Sequence, residues 1–188
     1  MDQKSPKTRR TFVAAITTIV AGTIAVVTPL LAGVVTFLSP LFKKSASPKV
    51  RVGLLSQVPD DGVPRPFPVI ANRIDAWNRY PDQRIGSIYL IRQPGEEKPT
   101  AFTAKCPHAG CFIGYTPGDD KFRCPCHTSA FNLNGTRVNG DAEVAPRGMD
   151  HLPVTLVDVT AGDGEMVHEI WIEYIDFQTG LKEAVPTS

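Results

Sequence analysis

Residues 106–129 read CPHAGCFIGYTPGDDKFRCPCHTS and hold all four cysteines of the chain and two of its four histidines. Two short turns carry them. Cys106-Pro107-His108-Ala109-Gly110-Cys111 presents a Cys and a His as C-x-H, with one further Cys. Cys124-Pro125-Cys126-His127-Thr128-Ser129 presents them as C-x-x-H, again with one further Cys. A chain of 188 residues does not need disulfides in order to fold. Four cysteines within 21 positions therefore point to a site rather than a scaffold.

Three chemistries use such residues. A zinc site of two Cys and two His is one, but zinc modules space their ligands as C-x-x-C and H-x-x-x-H and leave no spare Cys in each loop. Two plain disulfides with bystander histidines suit an exported domain, but they ignore the repeated Cys–His spacing. A two-iron centre with two thiolates and two imidazoles takes one Cys and one His from each loop.

Outward from the loops, short strand-like runs alternate with Pro- and Gly-rich turns. They are Val50–Leu55, Ser87–Arg92, Ala101–Ala104, Lys121–Arg123, Leu152–Val159 and Glu169–Ile175. No stretch beyond residue 50 carries a helical period of a dozen residues, so the domain is expected to be all-β. Ile74–Pro81, with Trp77 and Tyr80, reads as a short insertion with a helical turn. His151 and His168 have no ligand spacing and read as surface or strand histidines. Trp77 and Trp171 read as core.

The N-terminal part differs in kind. Thr11 to Phe42 is 32 residues without a charge, more than the ~20 a helix needs to cross a bilayer. A transmembrane anchor over 12–42 is expected, with Pro29 as a kink or end adjustment. A cleaved signal has an apolar core of only ~7–15 residues, although Ser45-Ala46-Ser47 imitates a cleavage site. Residues 43–49 (KKSASPK) read as a linker, able to reach roughly 26–29 Å when extended as far as Val50. Residues 50–188 form the expected β domain, its site-bearing part spanning about 104–148. Residues 1–49 hold seven basic and one acidic side chain, a net +6, whereas residues 50–188 hold 13 basic and 18 acidic, a net −5. The basic tip favours a lipid bilayer and an inside N-terminus. The acidic domain argues against nucleic acid as a partner. Within residues 1–11, Thr8-Arg9-Arg10-Thr11-Phe12-Val13 resembles the twin-arginine export signal, a route for folded, cofactor-loaded proteins. It predicts a single pass through a bacterial cytoplasmic membrane, with the β domain on the periplasmic (outer) side.

C-x-H-x-x-C followed by C-x-C-H-x-S at this separation resembles the Rieske iron–sulfur proteins in every ligand position. With the anchor, linker and export signal, it is similar to the Rieske subunit of quinol-oxidising cytochrome bc complexes. The resemblance is strong over Cys106–Arg147 and looser elsewhere. It implies an antiparallel β domain with a small cluster-binding subdomain, preceded by one N-terminal transmembrane helix. It implies one [2Fe–2S] cluster, with Cys106 and Cys124 on one iron and His108 and His127 on the other, and a disulfide between Cys111 and Cys126. Ser129 resembles a hydrogen-bond donor to a bridging sulfide. Where that family often has a Tyr donor this chain has Phe131, which implies a lower potential. Glu143-Val144-Ala145-Pro146-Arg147 sits where the family has a Gly-Pro-x-Pro covering loop, and only Pro146 fits the second Pro.

Neutral imidazoles in place of thiolates leave the oxidised centre uncharged. That is why such centres reduce at roughly −150 to +300 mV against about −400 mV for plant-type four-Cys clusters. The implied function is that of the redox subunit of a quinol:cytochrome c oxidoreductase, not active alone. One electron from membrane quinol, and a proton at His127, enter beside a cytochrome b subunit, and the electron leaves to a c-type cytochrome. The alternative is the small Rieske subunit of a periplasmic molybdenum oxidase such as arsenite oxidase, which the Phe131 substitution also suits.

Overall fold

Alternation within two strands decides the architecture of the β domain. The run Ile88–Ile91 is buried at every position. Ile88 and Leu90 enter one core with Val69, Ala101 and Ile170, while Tyr89 and Ile91 enter another with Phe102, Phe122 and Phe131. Side chains on a strand alternate between faces, so a strand covered on both sides reads as a continuous apolar run. The next strand behaves the same way, with Ala101 in the first core and Phe102 in the second.

The computed structural model describes residues 9–42, 47–74, 78–162 and 164–187. The helix α1 (Arg9–Phe42) and the β domain form separate compact units. The strands are β1 (Lys49–Leu54), β2 (Arg65–Ile74), β3 (Arg79–Ile91), β4 (Thr100–Thr103), β5 (Gly114–Thr116), β6 (Lys121–Arg123), β7 (Ala130–Asn132), β8 (His151–Leu152), β9 (Val154–Thr160) and β10 (Met166–Glu173). They make three antiparallel sheets ordered β1-β10-β9, β2-β3-β4-β8 and β5-β6-β7. The domain is thus mostly β, with the small third sheet carrying the two cysteine loops.

Helix α1 is long and apolar: Arg9–Ser39 has a mean hydropathy of 2.1 and none of its most apolar window is buried against the protein. It continues unbroken through Pro29. The hydroxyls of Thr17, Thr18, Thr23 and Thr36 donate to carbonyls one turn back at 2.8–3.1 Å, which hides these donors from an apolar surrounding. At ~1.5 Å per residue the helix is long enough to cross a bilayer with length to spare.

Several expected elements move. Pro66 and Pro68 suppress the strand signal of β2, yet β2 lies at the edge of its sheet, where a missing N–H costs no ladder bond. It pairs with β3 from Arg65↔Leu90 to Ile74↔Arg79. Ile74 and Arg79–Pro81 are accordingly strand and not a helical turn. Residues 75–77, Trp77 among them, lie outside the described residues, as do Thr8 of the export motif and 43–46 of the linker. Trp171 is half-buried, its Nε1–H donating to Glu169 at 3.0 Å. Gly135 takes φ +80°, and a Cβ there would stand 2.4 Å from Cε1 of the buried Phe102 ring. Only glycine allows both the turn and that close approach.

Candidate metal centre

The small sheet brings the two loops together. The second loop is the β6–β7 hairpin connection, flanked by the pair Arg123↔Ala130. The first leaves β4, and its flanks Lys105 and Phe112 form a bridge just before β5. Since Gly114 pairs with Arg123, both loops emerge at one end of the sheet. Each is closed in the same way: Cys106 N–H donates to Cys111 O at 2.8 Å, and Cys124 N–H donates to Ser129 O at 3.0 Å. Each first Cys is thus bonded to the carbonyl five residues on, which is the local reason for the echoed spacing. Gly110, at φ +80°, turns the first loop, with its N–H on Cys106 O at 2.9 Å.

Cys111 and Cys126 are joined as a disulfide with Cα atoms 6.5 Å apart. Cys106 and Cys124 are free and buried, 1% and 5% exposed. The sulfurs of Cys111, Cys124 and Cys126 all lie within 4.8 Å of one another. Two of the three are spent on their mutual bond, so only Cys124 among them can ionise as a ligand. The rings of His108 and His127 meet edge to face at 4.7 Å. His127 is exposed with its neighbours Pro125, Cys126 and Thr128, whereas His108 is half-buried.

The donor set and its burial suit a bound metal centre. His108 Nδ1 is buried without a hydrogen-bond partner among the described residues, a costly state for a polar atom unless a metal takes it. Burial, only partly opposed by the His108 N–H, pushes the Cys106 thiol up to about 11, and the adjacent Cys124 adds to the rise. A buried thiol of this kind needs a nearby cation in order to ionise.

The surroundings are built to hold this shape. Ser129, 1% exposed, accepts the Ala145 N–H on Oγ at 3.1 Å. Phe131 is fully buried in the same core as Cys106 and Cys124. Tyr89 reaches from β3 to the root of the first loop, donating to Ile113 O and accepting from Tyr115 N–H, both at 3.1 Å. Residues 176–181 lie along the first loop. Gly180 N–H donates to Pro107 O at 2.8 Å, and Lys105 Nζ holds Asp176 Oδ1 at 2.7 Å and Phe177 O at 3.1 Å. Arg147 pairs with Asp150 and also donates to Leu181 O and Gln178 O. No motif marks Tyr89 or this tail in the sequence. His151 packs on Phe102 at 4.3 Å and His168 on Asp158 at 2.7 Å, neither among the loops.

Thiol and imidazole donors drawn in pairs from two facing loops define a class, the iron–sulfur proteins of mixed ligation. Residues 50–155 match the family model of the Rieske [2Fe-2S] domain, and the chain belongs to that family. It is similar to the chloroplastic cytochrome b6-f complex iron-sulfur subunit of Pisum sativum, 38% identical over 93 residues, which are 49% of this chain and 37% of the pea protein. It is similar also to the cytochrome b6-f complex iron-sulfur subunit of Microcystis aeruginosa, 36% identical over 95 residues, 49% of this chain and 48% of that protein. The match spans less than half the length of either relative. Among solved structures, the plasma membrane Rieske protein PetC3 of Synechocystis PCC 6803 aligns with a TM-score of 0.40 and 18% identity, over 66% of this chain and 99% of that one.

Proposed function

We propose that this chain is the Rieske subunit of a quinol-oxidising cytochrome bc-type complex. In this reading 12–42 is its membrane anchor, 43–49 a linker and 50–188 a periplasmic head, with Cys106 and Cys124 on one iron and His108 and His127 on the other. When bound, the [2Fe–2S] cluster supplies a one-electron couple. The observation that carries the reading is the asymmetry of the imidazoles. His108 has its Nδ1 sealed in the interior, while His127 stands exposed at the tip. The ring nitrogen of His127 left free by ligation can accept a hydrogen bond from a quinol hydroxyl, take up its proton, and release that proton to water. The Cys111–Cys126 disulfide holds the two loops against each other, so that His127 keeps its place as the head meets its partners. The long apolar helix and the relationship to b6-f iron-sulfur subunits support a membrane setting.

Purification of the tagged full chain from detergent-solubilised membranes tests the assembly. Co-purifying b- and c-type haem spectra support it, and a molybdenum subunit in their place overturns it in favour of an oxidase. Substitution tests the ligands: loss of Cys106, His108, Cys124 or His127 should each abolish the EPR signal of the reduced cluster. A Cys106→Ser chain that keeps the signal while Cys111→Ser loses it refutes the ligand set.

A further inference from the structure

Glu143 is only 7% exposed and lies beside the second loop. Its Oε2 accepts the Ala130 N–H at 3.1 Å; its Oε1 accepts Asn139 Nδ2–H at 3.0 Å and, more loosely, Asn139 N–H at 3.4 Å. Both oxygens of the Glu143 side chain thus accept from N–H donors, as a carboxylate does. Among the described residues no cation forms a salt bridge with it, and the donors to its oxygens are the Ala130 and Asn139 N–H groups and the Asn139 side-chain amide.

The Ala130 N–H belongs to the peptide whose carbonyl, on Ser129, accepts the Cys124 N–H at 3.0 Å. A single peptide group therefore joins the Glu143 carboxylate to the backbone of Cys124. Hydrogen bonds in such a chain polarise one another: negative charge at the N–H end makes the carbonyl a better acceptor and fixes the Cys124 turn. The same segment is tied a second time where Ala145 N–H donates to Ser129 Oγ at 3.1 Å. Charge that is buried and unpaired is weakly screened, and it acts against any further negative charge added nearby.

We propose that Glu143 is a positioning residue that clamps residues 140–145 onto the second loop and, as a buried anion one peptide from Cys124, holds down the reduction potential of the site. The inference rests on the reading that Cys124 binds iron.

Film voltammetry on the full chain in detergent, with cluster content checked by EPR and iron analysis, tests it. Glu143→Gln keeps the size and removes the charge. The reduced-to-oxidised ratio at a fixed applied potential should rise at least about threefold. An unchanged ratio in a fully loaded Glu143→Gln chain overturns the tuning role. Glu143→Asp keeps the charge on a shorter arm, so the Ala130 and Ala145 amides should exchange hydrogen faster; unchanged exchange overturns the clamp. If Glu143→Gln does not load a cluster, Asn139→Ala decides. Removing a dipole that offsets the carboxylate should lower the reduced fraction, and an unchanged or raised fraction overturns the proposal. A wild-type chain that loads iron but lacks the Rieske EPR signal overturns the ligand reading and this inference together, an outcome distinct from any result confined to residue 143.

Discussion

Replacing Arg147 by Ala should destabilise the head by about 3–5 kcal/mol, the cost of breaking one side of a buried ion pair. Arg147 Nε and Nη2 grip Asp150 Oδ1 and Oδ2 at 2.7 and 2.8 Å, with the two side chains 9% and 5% exposed. Without the guanidinium the Asp150 carboxylate is left inside with no counter-charge, and the carbonyls of Gln178 and Leu181 lose a charged donor. The intact pair adds much less than this figure, because both ions were desolvated to form it. Arg147→Met combined with Asp150→Leu should therefore recover most of the loss. Arg147→Lys keeps the charge but not the planar fork, and should fall in between. Urea denaturation of the full chain, followed by tryptophan fluorescence and by visible circular dichroism of the cluster, measures each step. An Arg147→Ala chain within about 1 kcal/mol of wild type, below the cost of an uncompensated buried charge, would refute the reasoning, as would a double variant no more stable than the single. Asp61 and Arg65 make the same bidentate contact at 2.8 and 2.7 Å, but at the surface. Arg65→Ala should cost no more than about 1 kcal/mol in the same assay.

Tyr89→Phe leaves Ile113 O and Tyr115 N–H without their buried partner and should cost about 1–3 kcal/mol in the same denaturation. Hydrogen bonding from the Arg65 side chain, helped by the Val63 N–H, holds Asp61 well below the ordinary carboxylate value of 3.8, and Arg123 lowers Asp119 likewise. Both carboxylates are depressed on folding, so what they contribute is present above about 3.8 and is lost as pH falls through their lower folded values. The urea midpoint should therefore be insensitive to these two groups between about pH 5 and 8 and fall in acid, less steeply at high salt; a fall already complete at about pH 5 would contradict the assignment. Phe131→Tyr, at a fully buried position in the core that holds Cys106 and Cys124, should raise the midpoint potential by offering a hydroxyl to a ligand sulfur. A potential that stays or falls in a loaded Phe131→Tyr chain would show that the ring does not face that sulfur.

The loops were legible because their chemistry dictates residue type and spacing. Few families place Cys and His in this pattern, and the resemblance that the two loops carry implied a bridge that the structure contains between Cys111 and Cys126. The strands near the loops were legible where they are continuous and apolar, as at Ser87–Arg92 and Ala101–Ala104. What escaped had weak local signals. Prolines at 66 and 68 disguise β2, because an edge strand forgives what a central strand would not. Strands β5 and β7 have three residues each and adjoin the cysteine loops, whose turn residues blur their ends. The distal half of β3, from Arg79 to Arg84, is exposed at every position, so no apolar period announces it. Tyr89 lies inside the Ser87–Arg92 run, and nothing local to it says where a phenol will end. The tail contacts through Gly180 and Arg147 join residues more than thirty positions apart, a pairing that no window of sequence contains.

The clasp that the tail makes on the first loop imposes an order on manufacture. A ribosome delivers both cysteine loops roughly fifty residues before the segment around Gly180 that closes on Pro107. Until that segment is present, the Gly180 bond to Pro107 O and the Arg147 bonds to Gln178 O and Leu181 O cannot form. Once Gly180, Arg147 and Lys105 have engaged, the tail is tied to both flanks of the first loop and to the Asp150 turn. The first loop is therefore finished by a segment 73 positions beyond Pro107, so its final shape waits on residues 176–181.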